Sequence, residues 1–272
     1  MSLNETKHLL RAFQISPNKL LGQNFMIEPL LYSKMTEYAA LAQSDVVLDA
    51  GAGFGFLTRF MAGKCKAVVA VEKDPRMAEA LREQAKDLGN VLVAKGDVLK
   101  VSLPEFKKIV AIPPYYLSSS LVVWLLEHTV DCAVLILQKE FTNRLVAAVG
   151  SEDYGWLTVI ANSADRIDLL DEVPRTMFYP QPKVDSLIVR IARLKTVPFK
   201  VNDKDFFVRL VRWLFTQRNK KVSNVLVSFL KTIQGLGKQE AKGWAAKAPF
   251  GDKRVRDLAP RDFGELADAF GY

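Results

Sequence analysis

Apolar residues in this chain come in short unbroken runs, and such a run, too short for a helix and without alternation, reads as a strand covered on both sheet faces. Runs of this kind predict strands at residues 46–50, 67–72, 91–95, 108–112 and 132–137. Between them, helical spacing predicts helices at 56–62, 76–86, 119–127 and 139–149. Strands alternating with helices imply an α/β fold with a parallel sheet. The pattern is less regular after Asp165, and composition shifts at Lys195-Thr196-Val197-Pro198, where a linker is expected. Beyond it, Phe206-Phe207, Leu210-Val211 and Leu214-Phe215 repeat at the spacing of an amphipathic helix. The expected organisation is an N-terminal extension over residues 1–19, a main domain over 20–194 and a small helical domain over 195–272.

The first predicted strand, Val46-Val47-Leu48-Asp49-Ala50, runs into Gly51-Ala52-Gly53-Phe54-Gly55. Alternating glycines let a backbone approach a ligand closely, and the helix that follows presents its amino-terminal amides. The second strand ends in Glu72, about 20 residues past the first glycine, where a carboxylate can bind both ribose hydroxyls of an adenosine-containing ligand. The third leads to Gly96-Asp97-Val98, placing Asp97 to accept from an adenine amino group. To this point NAD fits as well as any adenosine ligand. The fourth strand ends in Ile112-Pro113-Pro114-Tyr115, which argues against a dehydrogenase. A rigid double proline followed by an aromatic holds a flat ring and backbone carbonyls beside the cofactor crevice, as an extruded base requires.

With these residues the chain resembles the ribosomal RNA adenine dimethyltransferases, the KsgA-type family. The resemblance implies a class I, Rossmann-like methyltransferase sheet with a small C-terminal helical domain. It also implies methyl transfer from S-adenosylmethionine to exocyclic amino groups of adenines in small-subunit rRNA, a step in ribosome biogenesis. Leu21-Gly22-Gln23-Asn24-Phe25 is similar to the family's N-terminal cofactor motif, and Asp49 to Gly55 to its glycine loop. Gln23, Asn24, Phe25, Gly51, Gly53, Gly55, Glu72, Asp97 and Val98 are therefore the expected cofactor ligands. Phe178-Tyr179-Pro180-Gln181-Pro182-Lys183-Val184-Asp185-Ser186 matches F-x-P-x-P-K-V-x-S, and Phe215 to Lys221 with Asn224 and Leu226 resembles a C-terminal helical signature. Two further strands are implied after Asp165, the last antiparallel and ending near Arg190.

The chain departs from the family at the fourth strand, where N-L-P-Y is replaced by Ile112-Pro113-Pro114-Tyr115. In the family the asparagine accepts a hydrogen bond from the target amine, and isoleucine accepts none. Backbone carbonyls near Ile112 and Pro113 are left to hold it. Ile112, Pro113, Pro114, Tyr115 and Phe178 are the expected catalytic residues, with Tyr115 and Phe178 sandwiching the base. Two other readings stay open: a weakly catalytic or inactive assembly or nucleic-acid-binding factor on this fold, favoured by Ile112, and a methyltransferase acting on large-subunit rRNA or DNA.

Charge narrows the partner. The formal net charge of +8 resides in the C-terminal part, since residues 1–190 carry 21 Lys and Arg against 22 Asp and Glu, and residues 191–272 carry 17 against 8. A basic helical module of this kind meets phosphates. Arg209, Arg212, Arg218, Lys220 and Lys221, with Lys183, are the expected RNA contacts, and Lys253, Arg254 and Arg256 form a second cluster. Arg11, Phe13 and Lys19 are candidates for further RNA contact. Two separated cysteines, Cys65 and Cys132, and two isolated histidines, His8 and His128, offer no metal-ligand spacing. No apolar stretch approaches the roughly 18 residues of a membrane span, and no secretory signal is visible. The expectation is a cytoplasmic monomer without metal, acting on the small ribosomal subunit.

Overall fold

The computed structural model describes residues 2–18, 21–128 and 130–271. In chain order the elements are α1 (Leu3–Ala12), β1 (Phe25–Met26), α2 (Leu30–Tyr38), β2 (Val46–Ala50), α3 (Phe56–Ala62), β3 (Ala67–Glu72), α4 (Pro75–Ala85), β4 (Val91–Lys95), β5 (Lys108–Ala111), α5 (Ser118–Glu127), β6 (Cys132–Gln138), α6 (Lys139–Leu145), α7 (Trp156–Ala161), β7 (Asp165–Val173), β8 (Phe178–Tyr179), β9 (Ser186–Arg193), α8 (Lys204–Phe215), α9 (Val222–Ile233), α10 (Lys238–Ala246) and α11 (Pro260–Phe270). They form two compact units: the chain up to Thr142 with Arg166–Arg193, and Asn143–Asp165 with the chain from Leu194 onward.

The first unit is built on a seven-stranded sheet of order β4-β3-β2-β5-β6-β9-β7. Strands β4, β3, β2, β5 and β6 are mutually parallel, and β9 pairs antiparallel with β6, from Cys132 opposite Ala192 to Gln138 opposite Ser186. Successive strands build outward from β2 toward β4 on one side and from β5 toward β6 on the other, so the order reverses between β2 and β5. Parallel α/β sheets bind ligands at such a reversal, outside the carboxyl ends of the strands. Val47, Leu48, Val68, Ile109, Val110 and Val134 are fully buried, as runs covered on both faces require.

The second unit is helical. On α8, Phe206, Phe207, Leu210, Val211 and Leu214 are buried, and Asp203 caps its amino end by accepting from the Phe206 amide. Tyr154 is fully buried there, donating to the Leu258 carbonyl at 2.7 Å and meeting Phe215 edge-on at 5.7 Å between ring centroids.

Three expectations change. The extension expected as a separate segment belongs, over its described residues 2–18, to the first unit: Ser2 and Glu5 form a capping box on α1, and Leu10 and Ile15 pack with Phe25, Phe54, Met77 and Ala80. Lys19 lies outside the described residues. The helix expected over 139–149 stops at Leu145, where the Arg144 carbonyl accepts from Thr158 Oγ1 at 2.6 Å and the Leu145 carbonyl from Asn162 Nδ2 at 2.8 Å. The boundary at 194 falls one residue from the observed division, but Asn143–Asp165, expected in the main domain, belongs with the C-terminal helices because α7 and Tyr154 pack there.

Candidate active site

A cavity opens where the sheet order reverses, walled by the glycine turn after β2, the end of β3, the segment after β5 and residues 21–26. Gly51, Gly53 and Gly55 have φ of +80°, +58° and +81°, in the left-handed region that only glycine enters freely. The Gly51 and Ala52 amides donate to the Val71 carbonyl at 2.9 and 3.0 Å, tying the turn to β3. A side chain on Gly51 would place its Cβ 2.7 Å from Pro114 Cδ, and one on Gly22, at φ +61°, would meet Pro114 Cβ at 3.3 Å. Pro114 is thus seated between two turns that side chains would fill, and this seat positions Tyr115.

Glu72 receives the Gly53 amide on Oε2 at 2.9 Å and the Asp74 amide on Oε1 at 2.8 Å. Each oxygen retains acceptor capacity, the requirement for holding ribose hydroxyls. Burial pushes its carboxyl up, against the pull of those amides. Gly96 and Val98, on either side of Asp97, line the cavity. Gln23 also lines it, accepting from the Asn18 amide at 2.8 Å and donating to Asp74 Oδ2 at 3.1 Å. Asn24 donates to the Gly22 carbonyl, and Phe25, paired with Tyr179 across β1 and β8, packs on Phe54 at 5.0 Å.

Asp49 and Asp74 went unnoticed as individual site residues in the sequence. Asp74 is the N-cap of α4, accepting from the Arg76 amide, and the Asp-Pro pair before a helix was the available signal. Asp49 is 1% exposed and lines the cavity. Burial pushes its carboxyl up to about 7, the Thr58 hydroxyl at 2.6 Å pulls it down, and Glu72 adds to the rise. A carboxyl raised in the folded state contributes stability that is fully present below its unfolded value near 4 and lost as pH rises through about 7. Asp49→Asn is therefore expected to flatten the decline in Tm between pH 5 and 8. Thermal unfolding across that range checks this, and an unchanged slope would count against it.

Ile112, Pro113, Pro114 and Tyr115 all line the cavity, with Ile112 just past the end of β5. The Tyr115 hydroxyl lies 2.7 Å from Ser186 Oγ, which joins the strand-end motif to the last residue of the F-x-P-x-P-K-V-x-S motif. Burial pushes its phenol up. Phe178 lies differently from the expected free stacking face. It is 1% exposed, packed among Met26, Val173 and Ile188, and contributes a wall of the cavity. Tyr115 is the half-buried aromatic of the two.

The basic residues divide. Lys183, Arg209 and Lys220 are exposed. The Arg212 guanidinium lies 4.4 Å from the centroid of the Trp156 ring, and Lys221 pairs with Asp252 at 3.0 Å. Arg218 is a structural staple, donating to the Ser151 and Glu152 carbonyls, both at 2.7 Å. Arg218→Ala is expected to lower stability by about 2 kcal/mol, because hydrogen bonds from a charged donor are lost. Arg209→Ala, at an exposed cation, is expected to leave stability unchanged and, as a phosphate contact, to reduce the salt dependence of RNA binding by roughly one ion per site. Thermal unfolding and salt titration separate the two. Among the described residues, no cluster of His, Cys, Asp and Glu is arranged to hold a metal, and no helix is long and apolar enough to cross a membrane. Cys65 and Cys132 are buried free thiols.

Sheet order, glycine turn and the Glu72 carboxylate define a Rossmann-like methyltransferase fold. A crystal structure of a dimethyladenosine transferase from Plasmodium falciparum shares it at a TM-score of 0.73 and 27% identity, over 89% of this chain and 95% of that one. The 23S rRNA methyltransferase ErmE does so at 0.63 and 27%, over 91% and 100%. The model of the ribosomal RNA adenine dimethylase family matches residues 15–257, and the chain belongs to that family. Similar proteins include the probable ribosomal RNA small subunit methyltransferases A of Thermococcus onnurineus, 36% identical over 95% of this chain and 94% of that protein, and of Methanothermobacter thermautotrophicus, 35% identical over 97% and 94%.

Proposed function

We propose that this protein transfers methyl groups from S-adenosylmethionine to exocyclic amino nitrogens of adenines in small-subunit rRNA, during ribosome biogenesis in the cytoplasm. The observation that carries this reading is the seating of Pro114 between Gly22 and Gly51, which sets a half-buried tyrosine and the strand-end carbonyls against a glycine cradle. The cradle fits the cofactor: Gly51 and Gly53 bring left-handed backbone to the cavity wall, Gly55 makes room for Leu81 behind it, and Glu72 and Asp97 supply the acceptors that ribose and adenine need. When bound, S-adenosylmethionine supplies an activated methyl group. The protein's own residues hold the acceptor. Tyr115 offers a ring for the target base to stack on, and the Ile112 and Pro113 carbonyls accept from its amine. An adenine amine is nearly neutral, so no side chain need remove its proton before attack, and solvent takes it afterwards. Rate then comes from positioning.

Supporting the small-subunit target are the names of the similar proteins from Thermococcus and Methanothermobacter. ErmE, a 23S rRNA enzyme, shares the fold at a lower score, so fold alone does not choose the subunit. The test is incubation with isotopically labelled S-adenosylmethionine and unmethylated small or large subunits, followed by mass spectrometry of the digested RNA. Labelled mono- or dimethyladenosine from small subunits supports the reading. Binding without methylation favours an assembly factor, and label confined to large subunits moves the target. Running Ile112→Asn beside the natural protein reads the contribution of the missing acceptor directly.

A further inference from the structure

Lys73 has no part in the reading above. It follows Glu72 at the carboxyl end of β3 and lines the cavity. Its ammonium donates to Asp97 Oδ2 at 3.1 Å, while the Leu99 amide donates to Oδ1 at 3.1 Å. With one donor on each oxygen, the carboxylate is fixed in orientation and keeps lone pairs for a ligand. We propose that Lys73 is a positioning residue for cofactor recognition, holding Asp97 ionised and in a single rotamer so that it accepts from the amino group of an aminopurine. This rests on Asp97 as the adenine acceptor.

The groups facing Asp97 agree with that role. Burial pushes its carboxyl up, but Lys73, the Leu99 amide and the more distant Lys100 together hold it below the ordinary carboxylate value. Tyr116, 47% exposed and lining the cavity, stands in the field of Lys73, Asp97 and Glu72 from the turn after Pro114. The Lys73 and Asp97 side chains are 50% and 21% exposed, so the pair is partly desolvated on the carboxylate side. An exposed ammonium free of Asp97 would gain better hydration and more conformational freedom. Lys73 lies instead along the cavity wall and holds one oxygen of Asp97.

The test uses the full chain and calorimetric titration with S-adenosylhomocysteine, whose sulfur is neutral, from about pH 3.5 to pH 8, so that the ordinary carboxylate range is covered. Lys73→Met keeps the stem and loses the charge. Its expected result is binding about 5- to 10-fold weaker at pH 7.5, in line with loss of about one charge-assisted contact. Affinity should also begin to fall at a higher pH on acidification than in the natural protein, because Asp97 then protonates more readily. Lys73→Arg should restore most of both. In an Asp97→Asn background, Lys73→Met should cost nothing further. Equal or tighter binding by Lys73→Met with an unchanged pH profile overturns the proposal, the tighter case meaning that Lys73 competes with the adenine amine. If Asp97→Ala, which removes the acceptor, leaves binding intact, Asp97 is not the adenine acceptor, and the role of Lys73 falls with that assignment. Thermal unfolding of each variant shows whether the fold is kept.

Discussion

Replacing Gly51 with alanine is expected to cut methyl transfer by roughly 30- to 4,000-fold and to weaken cofactor binding to a similar degree. Two costs add. A residue with a Cβ at φ +80° carries strain of about 1–2 kcal/mol, and the new Cβ, 2.7 Å from Pro114 Cδ, forces either the turn or the double proline to move, at about 1–3 kcal/mol more. Tenfold per 1.4 kcal/mol converts their sum to the stated range. Gly150 is the control: it has φ +82° with nothing near its would-be Cβ, so Gly150→Ala should lose stability and keep transfer. Calorimetry with S-adenosylhomocysteine and a labelled-methyl assay read both variants. Unchanged cofactor affinity in Gly51→Ala would mean that this turn is not the cradle.

Removing the Tyr115 ring should lower kcat/KM about 10- to 100-fold with cofactor affinity kept, since base–aromatic stacking contributes about 1–3 kcal/mol. Tyr115→Phe keeps the ring and loses only the contact to Ser186, so its loss should stay under about tenfold. The comparison cannot be made at Phe178. That ring is 1% exposed, and its truncation to alanine costs about 3–5 kcal/mol of stability before any substrate arrives. If Tyr115→Ala transfers methyl groups as fast as the natural protein, the base is held elsewhere.

Strands β2, β3, β5 and β6 were legible to within a residue because each is a contiguous apolar run largely buried on both faces, whereas β4, found by its apolar run as well, is the edge strand and leaves Leu92 52% exposed, so the expected two-sided cover fails there. Helix α2 was missed: Pro29 at its N-cap makes no side-chain capping bond, and its burial comes from tertiary packing of Tyr32 and Met35. The two-residue strands β1 and β8 are too short to carry any period. Glu72, Gly51, Gly53 and the segment from Ile112 to Tyr115 line one cavity, while Gly55, expected with them, packs against Leu81. What spacing cannot convey is which atoms meet. That Pro114 needs glycine at both 22 and 51, that Gln23 reaches Asp74, and that Arg218 is occupied by two backbone carbonyls are facts of tertiary placement.

Residues 143–165 belong with the C-terminal helices although they lie between β6 and β7 in sequence, so the backbone passes between the two units three times. During synthesis, neither unit is complete when its neighbour starts. The sheet waits for β9 to be inserted beside β6, and the helical unit holds α7 early and waits for α8 and Leu258 to give the Tyr154 hydroxyl its acceptor. No single cut separates them. A fragment from residue 195 onward would lack Tyr154 and the buried face of α7, leaving Phe215 and the Leu258 carbonyl without their partner. Dissecting RNA binding from catalysis in this chain therefore calls for point substitutions within the whole protein.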